Sequence, residues 1–220
     1  MNGGRNMKEN SFAGWRKLIR NRNEFFAALL MAFATALSAW CGYQSTRWNG
    51  KQSILMGETA AIRTEAAQKV NLAGQEAIID LNMFEQYYRA LIEGRKDTER
   101  IIMQRFRREA RIAVDAWLAT NPLRNPDAPR GPFGMKEYRP KLVEEAAALN
   151  RQADRKFTQA REANSKVDKY VLLTVMISSV LFFSGLATHF ISPRIQVAAL
   201  FFAAALFFVA IFILLRMPTA

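Results

Sequence analysis

Cysteine and histidine are nearly absent from these 220 residues, which hold one of each, Cys41 and His189. A lone cysteine rules out an internal disulfide framework and a cysteine-based zinc cluster. A lone histidine rules out any site that needs two imidazoles. The patterns GxxxxGK[ST], GxGxxG and GxSxG are also missing, so the common phosphate cradles and the nucleophile elbow are excluded. No catalytic residue, metal site or cofactor is expected, and the chain is not read as an enzyme. Proline is scarce outside one stretch, since four of the seven fall within 121–139. Charge is missing where its absence says most: from Tyr170 to Leu215 the one permanently charged side chain is Arg194.

That gap in charge holds two apolar runs, Tyr170–Ile191 and Ile195–Leu215, separated by Ser192-Pro193-Arg194. As helices they are about 31–33 Å long, close to the ~30 Å hydrocarbon thickness of a bilayer. Proline cannot donate to a helix ladder and arginine is costly in lipid, so the break belongs at a membrane surface. A third run, Phe25–Tyr43, follows a basic tail of residues 1–24. A cleaved signal peptide is one reading, but the tail is long for it. A lipoprotein site at Cys41 is another, but Trp40 stands where a small residue is wanted. An uncleaved anchor accounts for Trp40, Tyr43 and Trp48, because amphipathic aromatics settle at headgroup level.

The formal charge of +12 is spread over segments with different neighbours. The tail carries Arg5, Lys8, Arg16, Lys17, Arg20 and Arg22 against Glu9 and Glu24. With Phe12 and Trp15 it reads as a short interfacial helix on anionic headgroups. In residues 44–169 basic and acidic side chains are mixed and no nucleic-acid-binding motif accompanies them, so nucleic acid is not an expected partner. The basic tail and Arg194 place the N-terminus and the turn in the cytoplasm and residues 44–169 outside. Arg151, Arg155, Lys156, Arg161, Lys166 and Lys169 argue the other way.

Between the first and second spans the periodicity is helical. From Gln52 to Ile92 an apolar stripe falls at Leu55, Ile62, Ala66, Val70, Ala73, Ala77, Leu81, Phe84, Tyr88 and Leu91, in steps of three and four. Gly94 is a plausible stop, with Asp97 or Thr98 as the next cap. A second helix over Thr98–Thr120 puts Ile102, Phe106, Ala110, Ala113 and Trp117 on one face. It is expected to fold beside the first. A third begins near Pro140 and runs unbroken into the span at Tyr170. The expected architecture is therefore an all-α membrane protein. Three transmembrane helices, 25–43, 170–191 and 195–215, are expected, with a long extramembrane helical hairpin or bundle, 44–169, between the first and second and a Pro-rich connection at 121–139 within it.

Within that connection Leu123, Phe133 and Tyr138 are expected to pack on the bundle. The alternative is a partner-docking surface made by Pro126, Pro129, Pro132, Phe133 and Tyr138. Several short patterns here resemble a group of bacterial three-span inner-membrane proteins without an established activity. They include Gly42-Tyr43-Gln44, Arg47-Trp48, Arg105-Phe106-Arg107-x-Glu109 and Ala116-Trp117-Leu118-Ala119. Asn125-Pro126-x-Ala128-Pro129 and Asp168-x-Tyr170-Val171-Leu172 continue the resemblance. It implies the architecture and a bacterial inner-membrane location, and it assigns no functional residues.

Two further candidate sites come from helical spacing. Thr174, Ser178, Gly185 and His189 share a face of the second span, where small and hydroxylated residues let helices approach. The sharper reading is a pore or proton path with His189 titrating. Arg100, Arg107 and Arg111 share a face opposite Phe106 and Trp117, either solvated or an anion and lipid face. The leading functional expectation is a structural or assembly protein, self-associating or bound to another envelope protein, with membrane lipids around its spans. A sensory module signalling through a partner, or an oligomeric channel or transporter subunit, are the alternatives.

Overall fold

The computed structural model describes the backbone of residues 3–190 and 192–220, with side chains from residue 21 onward except that of residue 193. Among the described residues there are five α-helices and no strand: α1 (Gly3–Ile92), α2 (Lys96–Arg105), α3 (Arg108–Leu118), α4 (Lys141–His189) and α5 (Pro193–Leu214). The all-α expectation holds, and α1, α4 and α5 each carry a stretch long and apolar enough to cross a membrane. The interfacial side chains expected at Phe12, Trp15, Arg16, Lys17 and Arg20 lie outside the described residues, as does Ile191 at the end of the second apolar run.

Contacts divide the chain into two units, one of residues up to Leu55 with Gln159–Ala220, the other Met56–Thr158. In the first, α1 and α5 run in the same direction. Asn23 of α1 bonds to Gln196 at the start of α5, and Trp48, further along α1, donates from Nε1 to the Pro218 carbonyl just past the end of α5. α4 runs the opposite way. A Cβ at Gly185 would lie 3.9 Å from Met31 Sδ, while Tyr170 Oη donates to Pro218 O at 3.2 Å. Buried positions recur every seven residues: Ala27, Ala34, Cys41 and Trp48 on α1, Ala163, Tyr170, Ile177 and Ser184 on α4, Gln196, Ala203 and Ala210 on α5. Seven residues are two helical turns, so each helix keeps one seam toward its neighbours. Alanine in the seam lets backbones approach and form van der Waals contact. The Ser192 carbonyl accepts from Gln196 N–H at 3.1 Å, and Pro193 opens α5 where its missing N–H costs nothing.

In the second unit Gly94 ends α1 as expected. It sits at φ +69°, a conformation costly for any residue with a Cβ. Arg95 N–H returns to Ala90 O at 2.9 Å and satisfies one of the last carbonyls. Two expectations fail here. Neither Asp97 nor Thr98 caps the next helix, because Arg95 occupies the cap position and makes no side-chain cap bond. The single helix expected over Thr98–Thr120 is instead two helices, interrupted by extended backbone at Phe106 (ψ 141°) and Arg107 (ψ 154°). No proline or glycine marks the break. It is held by contacts, because Phe106 is buried against Tyr87 with ring centroids 5.9 Å apart, and tertiary packing overrides helix propensity.

The stripe expected on α1 is also corrected. Val70 and Leu81 face outward, 50 % and 55 % exposed. Ala66 and Ala73 of that stripe are buried as expected, and the seam continues from them through Asp80 and Tyr87, with Asp80 fully buried. α4 starts at Lys141 directly after Pro140, whose carbonyl accepts from Val143 N–H, and has no break between Val167 and Tyr170.

Candidate functional site

A carboxylate with no solvent contact needs partners, and Asp80 has two. Arg107 donates from Nε to Oδ1 at 3.0 Å and from Nη2 to Oδ2. Tyr138 Oη donates to Oδ2 at 3.0 Å. The remaining guanidinium nitrogen, Nη1, bonds Glu76, one turn before Asp80 on α1. The break between α2 and α3 makes this possible, since Arg107 sits on extended backbone and is free of the helical lattice. Paired, fork-like donation of this kind is the strongest hydrogen bonding available to a carboxylate. The Asp80 hydrogen bond, then the Asp80 and Glu76 charges, raise the Arg107 pKa.

Around this cluster the side chains are aromatic. Phe84 lies edge-on to Trp117 and to Phe133, at 5.2 and 5.6 Å between centroids. Phe133 meets Tyr138 at 4.9 Å. Trp117 Nε1 donates to the Pro129 carbonyl at 2.7 Å. Pro132 is buried, and a short 3₁₀ turn, Pro132–Gly134, presents Phe133 to α1. Of the five residues expected to form a docking surface, Pro132, Phe133 and Tyr138 are thus turned inward and Pro126 and Pro129 are exposed. The packing reading holds for Phe133 and Tyr138, but Leu123 is 57 % exposed and does not join it.

Arg100, Arg107 and Arg111 do not share a face. Arg100 pairs with Asp97 and Arg111 with Asp115, both at the surface, where such pairs contribute little. Those two arginines border one shallow hollow with Lys96 and Glu99, while Arg107 turns to α1. The polar face of α4 is also occupied locally. Thr174 donates to Tyr170 O at 3.0 Å and Ser178 to Thr174 O at 2.8 Å, each on its own helix. Gly185 faces Met31, and His189 is exposed at the helix end. Asp80 itself was hidden from the apolar stripe, which selects Leu81 beside it. The signal was the seven-residue step from Ala66 through Ala73 to Tyr87, which lands on Asp80.

Chemically the cluster is a clamp. Its carboxylate is saturated by donors, and among the described residues no group of acidic, cysteine or histidine side chains could hold a metal ion. Burial first, then the hydrogen bond and charge of Asp80, push the Tyr138 phenol up to about 12. Burial and then Glu99 push Tyr87 to about 12 as well. Both folded values lie above the ordinary 10.0, so the stabilisation belongs to the neutral phenols. It is fully present below pH 10 and is lost as the pH rises through about 12. Alkaline titration followed at the phenolate absorbance is expected to show Tyr87 and Tyr138 among the late-ionising tyrosines, and Tyr138→Phe should remove one late-ionising group. The same variant should cost about 1.5 kcal/mol at neutral pH, the worth of a hydrogen bond to a charged acceptor.

With this geometry in hand, comparison with protein-family models, curated proteins and solved structures gives no match. Functional reading therefore rests on the residues themselves.

Proposed function

We propose that this chain is an integral protein of a bacterial inner membrane that acts in structure or assembly. Its three apolar stretches cross the bilayer, and the helical unit of Met56–Thr158 binds a second copy or another envelope protein. The basic residues 5–22 and Arg194 support a cytoplasmic N-terminus and turn, with the helical unit outside. The observation that carries the binding reading is an outward apolar set on α1, away from the apolar stretches. Leu72, Ile78 and Ile79 are 50 %, 61 % and 55 % exposed. Clustered exposed apolar side chains rimmed by polar ones mark interaction surfaces, and Gln75, Asn71 and Asn82 lie on the same part of the helix.

One introduced thiol tests both parts. Cys41 is buried, so Ile79→Cys supplies the accessible cysteine. The expected results are labelling by a membrane-impermeant maleimide in intact cells and a disulfide-linked adduct, with itself or a second protein, under mild oxidation. Labelling in opened cells alone would place the unit in the cytoplasm. Absence of every adduct, with labelling intact, would overturn the assembly role.

A further inference from the structure

α1 meets the start of α5 in a polar pair, and an apolar groove begins directly beneath it. Asn23 Nδ2 donates to Gln196 Oε1 at 3.2 Å, and both residues are buried. From there a groove of about 520 Å³ runs between the two helices. Phe26, Leu30 and Phe33 form one wall and Val197, Phe201 and Phe208 the other. Asn23 is the single polar residue among its lining side chains. At the polar end stand two exposed arginines, Arg22 preceding Asn23 and Arg194 two residues before Gln196.

We infer that this groove holds an acyl chain of an anionic phospholipid whose phosphate lies against Arg22 and Arg194. The length of the groove selects this occupant. Its α1 wall runs from Asn23 to Phe33, eleven residues or about 15 Å of helix. That is half of the ~30 Å hydrocarbon core, the depth of one leaflet. A single acyl chain stops at the midplane, where the groove stops. The charge selects the headgroup. Two exposed arginines beside the residues that close the polar end of the groove complement a phosphate that carries net negative charge, and cytoplasmic leaflets are rich in such lipids. The walls contribute by contact: Phe201 is 76 % exposed and Phe26 53 %, so each offers a ring face for methylenes to cover.

This inference rests on the membrane reading proposed above, and the experiment separates the two. The full chain, purified in detergent, is exposed to equal amounts of phosphatidylglycerol and phosphatidylcholine and examined by native mass spectrometry. One phosphatidylglycerol is expected to be retained preferentially. The double variant Arg22→Gln/Arg194→Gln should lose that preference, by about fivefold for each arginine removed. Ala204→Trp, which fills the groove and leaves both arginines in place, should abolish retention of either lipid at this site. Equal retention of both lipids by the unaltered chain overturns the inference. So does a dimer that Ala204→Trp dissolves, because the groove would then seat a second copy. Alkaline carbonate extraction of membranes is the separate control. Release of the unaltered chain there overturns the membrane reading itself, whereas a chain that stays inserted without lipid preference overturns only the lipid site.

Discussion

Arg107→Ala is expected to destabilise the helical unit by about 3 kcal/mol, seen as a thermal midpoint lower by roughly 10 °C in detergent. The cost arises less from the lost attraction than from what is left behind. Asp80 has no exposure, and without Arg107 its charge keeps, among the described residues, the Tyr138 hydroxyl as its close side-chain donor. Removing one member of a buried pair typically costs about 3–5 kcal/mol. The lower end applies because the Arg107 and Glu76 side chains are 29 % and 35 % exposed and water can reach them. The double variant Asp80→Ala/Arg107→Ala should be less destabilised than Arg107→Ala alone, because no buried charge is then abandoned. A double variant as unstable as the sum of its single changes would show that the two side chains act independently and that the clamp does not exist.

Trp117→Ala, near the end of α3, should be the single change most damaging to the packing of the connection that follows, at about 3–5 kcal/mol. Trp117 is buried, lies edge-on to Phe84 at 5.2 Å and Tyr88 at 5.9 Å, and ties Pro129 through its indole N–H. The substitution opens a large cavity and also releases the Pro-rich segment. Hydrogen exchange across 121–139 should therefore rise together with the loss in thermal midpoint. Trp117→Phe keeps most of the packing and deletes the bond to Pro129. It should cost about 1 kcal/mol and still raise exchange near that residue. If alanine leaves the segment as protected as before, the indole is only filling space.

These two residues also mark the boundary of what was legible in advance. The apolar runs, the stop at Gly94 and the start of α4 beside Pro140 were readable because each depends on residues within a few turns of one another. Of the stripe expected at Ile102, Phe106, Ala110, Ala113 and Trp117, the last four are buried and Ile102 is half-buried, although they do not lie on one continuous helix. The break at Phe106 and Arg107 was not readable, because what holds it lies far along the chain. Asp80 is 27 residues from Arg107 and 58 from Tyr138. An unbroken helical wheel through that break necessarily groups Arg107 with Arg100 and Arg111, whereas the folded chain turns Arg107 to α1 and leaves Arg100 and Arg111 beside one hollow. The candidate lipid groove was hidden for a related reason. Its walls come from α1 and α5, and only their parallel course brings Arg22 and Arg194 to one end.

The alanine seam carries one more consequence. A seam that repeats every seven residues looks the same after a slide of seven residues, about 10.5 Å along the helix axis. Ala27, Ala34, Ala203 and Ala210 fill their positions whichever neighbour they meet, so they set the spacing of the helices and leave their register undetermined. Register must come from groups that occur once. Asn23 with Gln196 fixes it at one end. At the other, Gln44, Trp48 and Tyr170 fix it on Pro218 and Ala220. Where α1 and α5 present alanine to one another, a few polar bonds, small in energy beside the packing, thus help to decide the alignment.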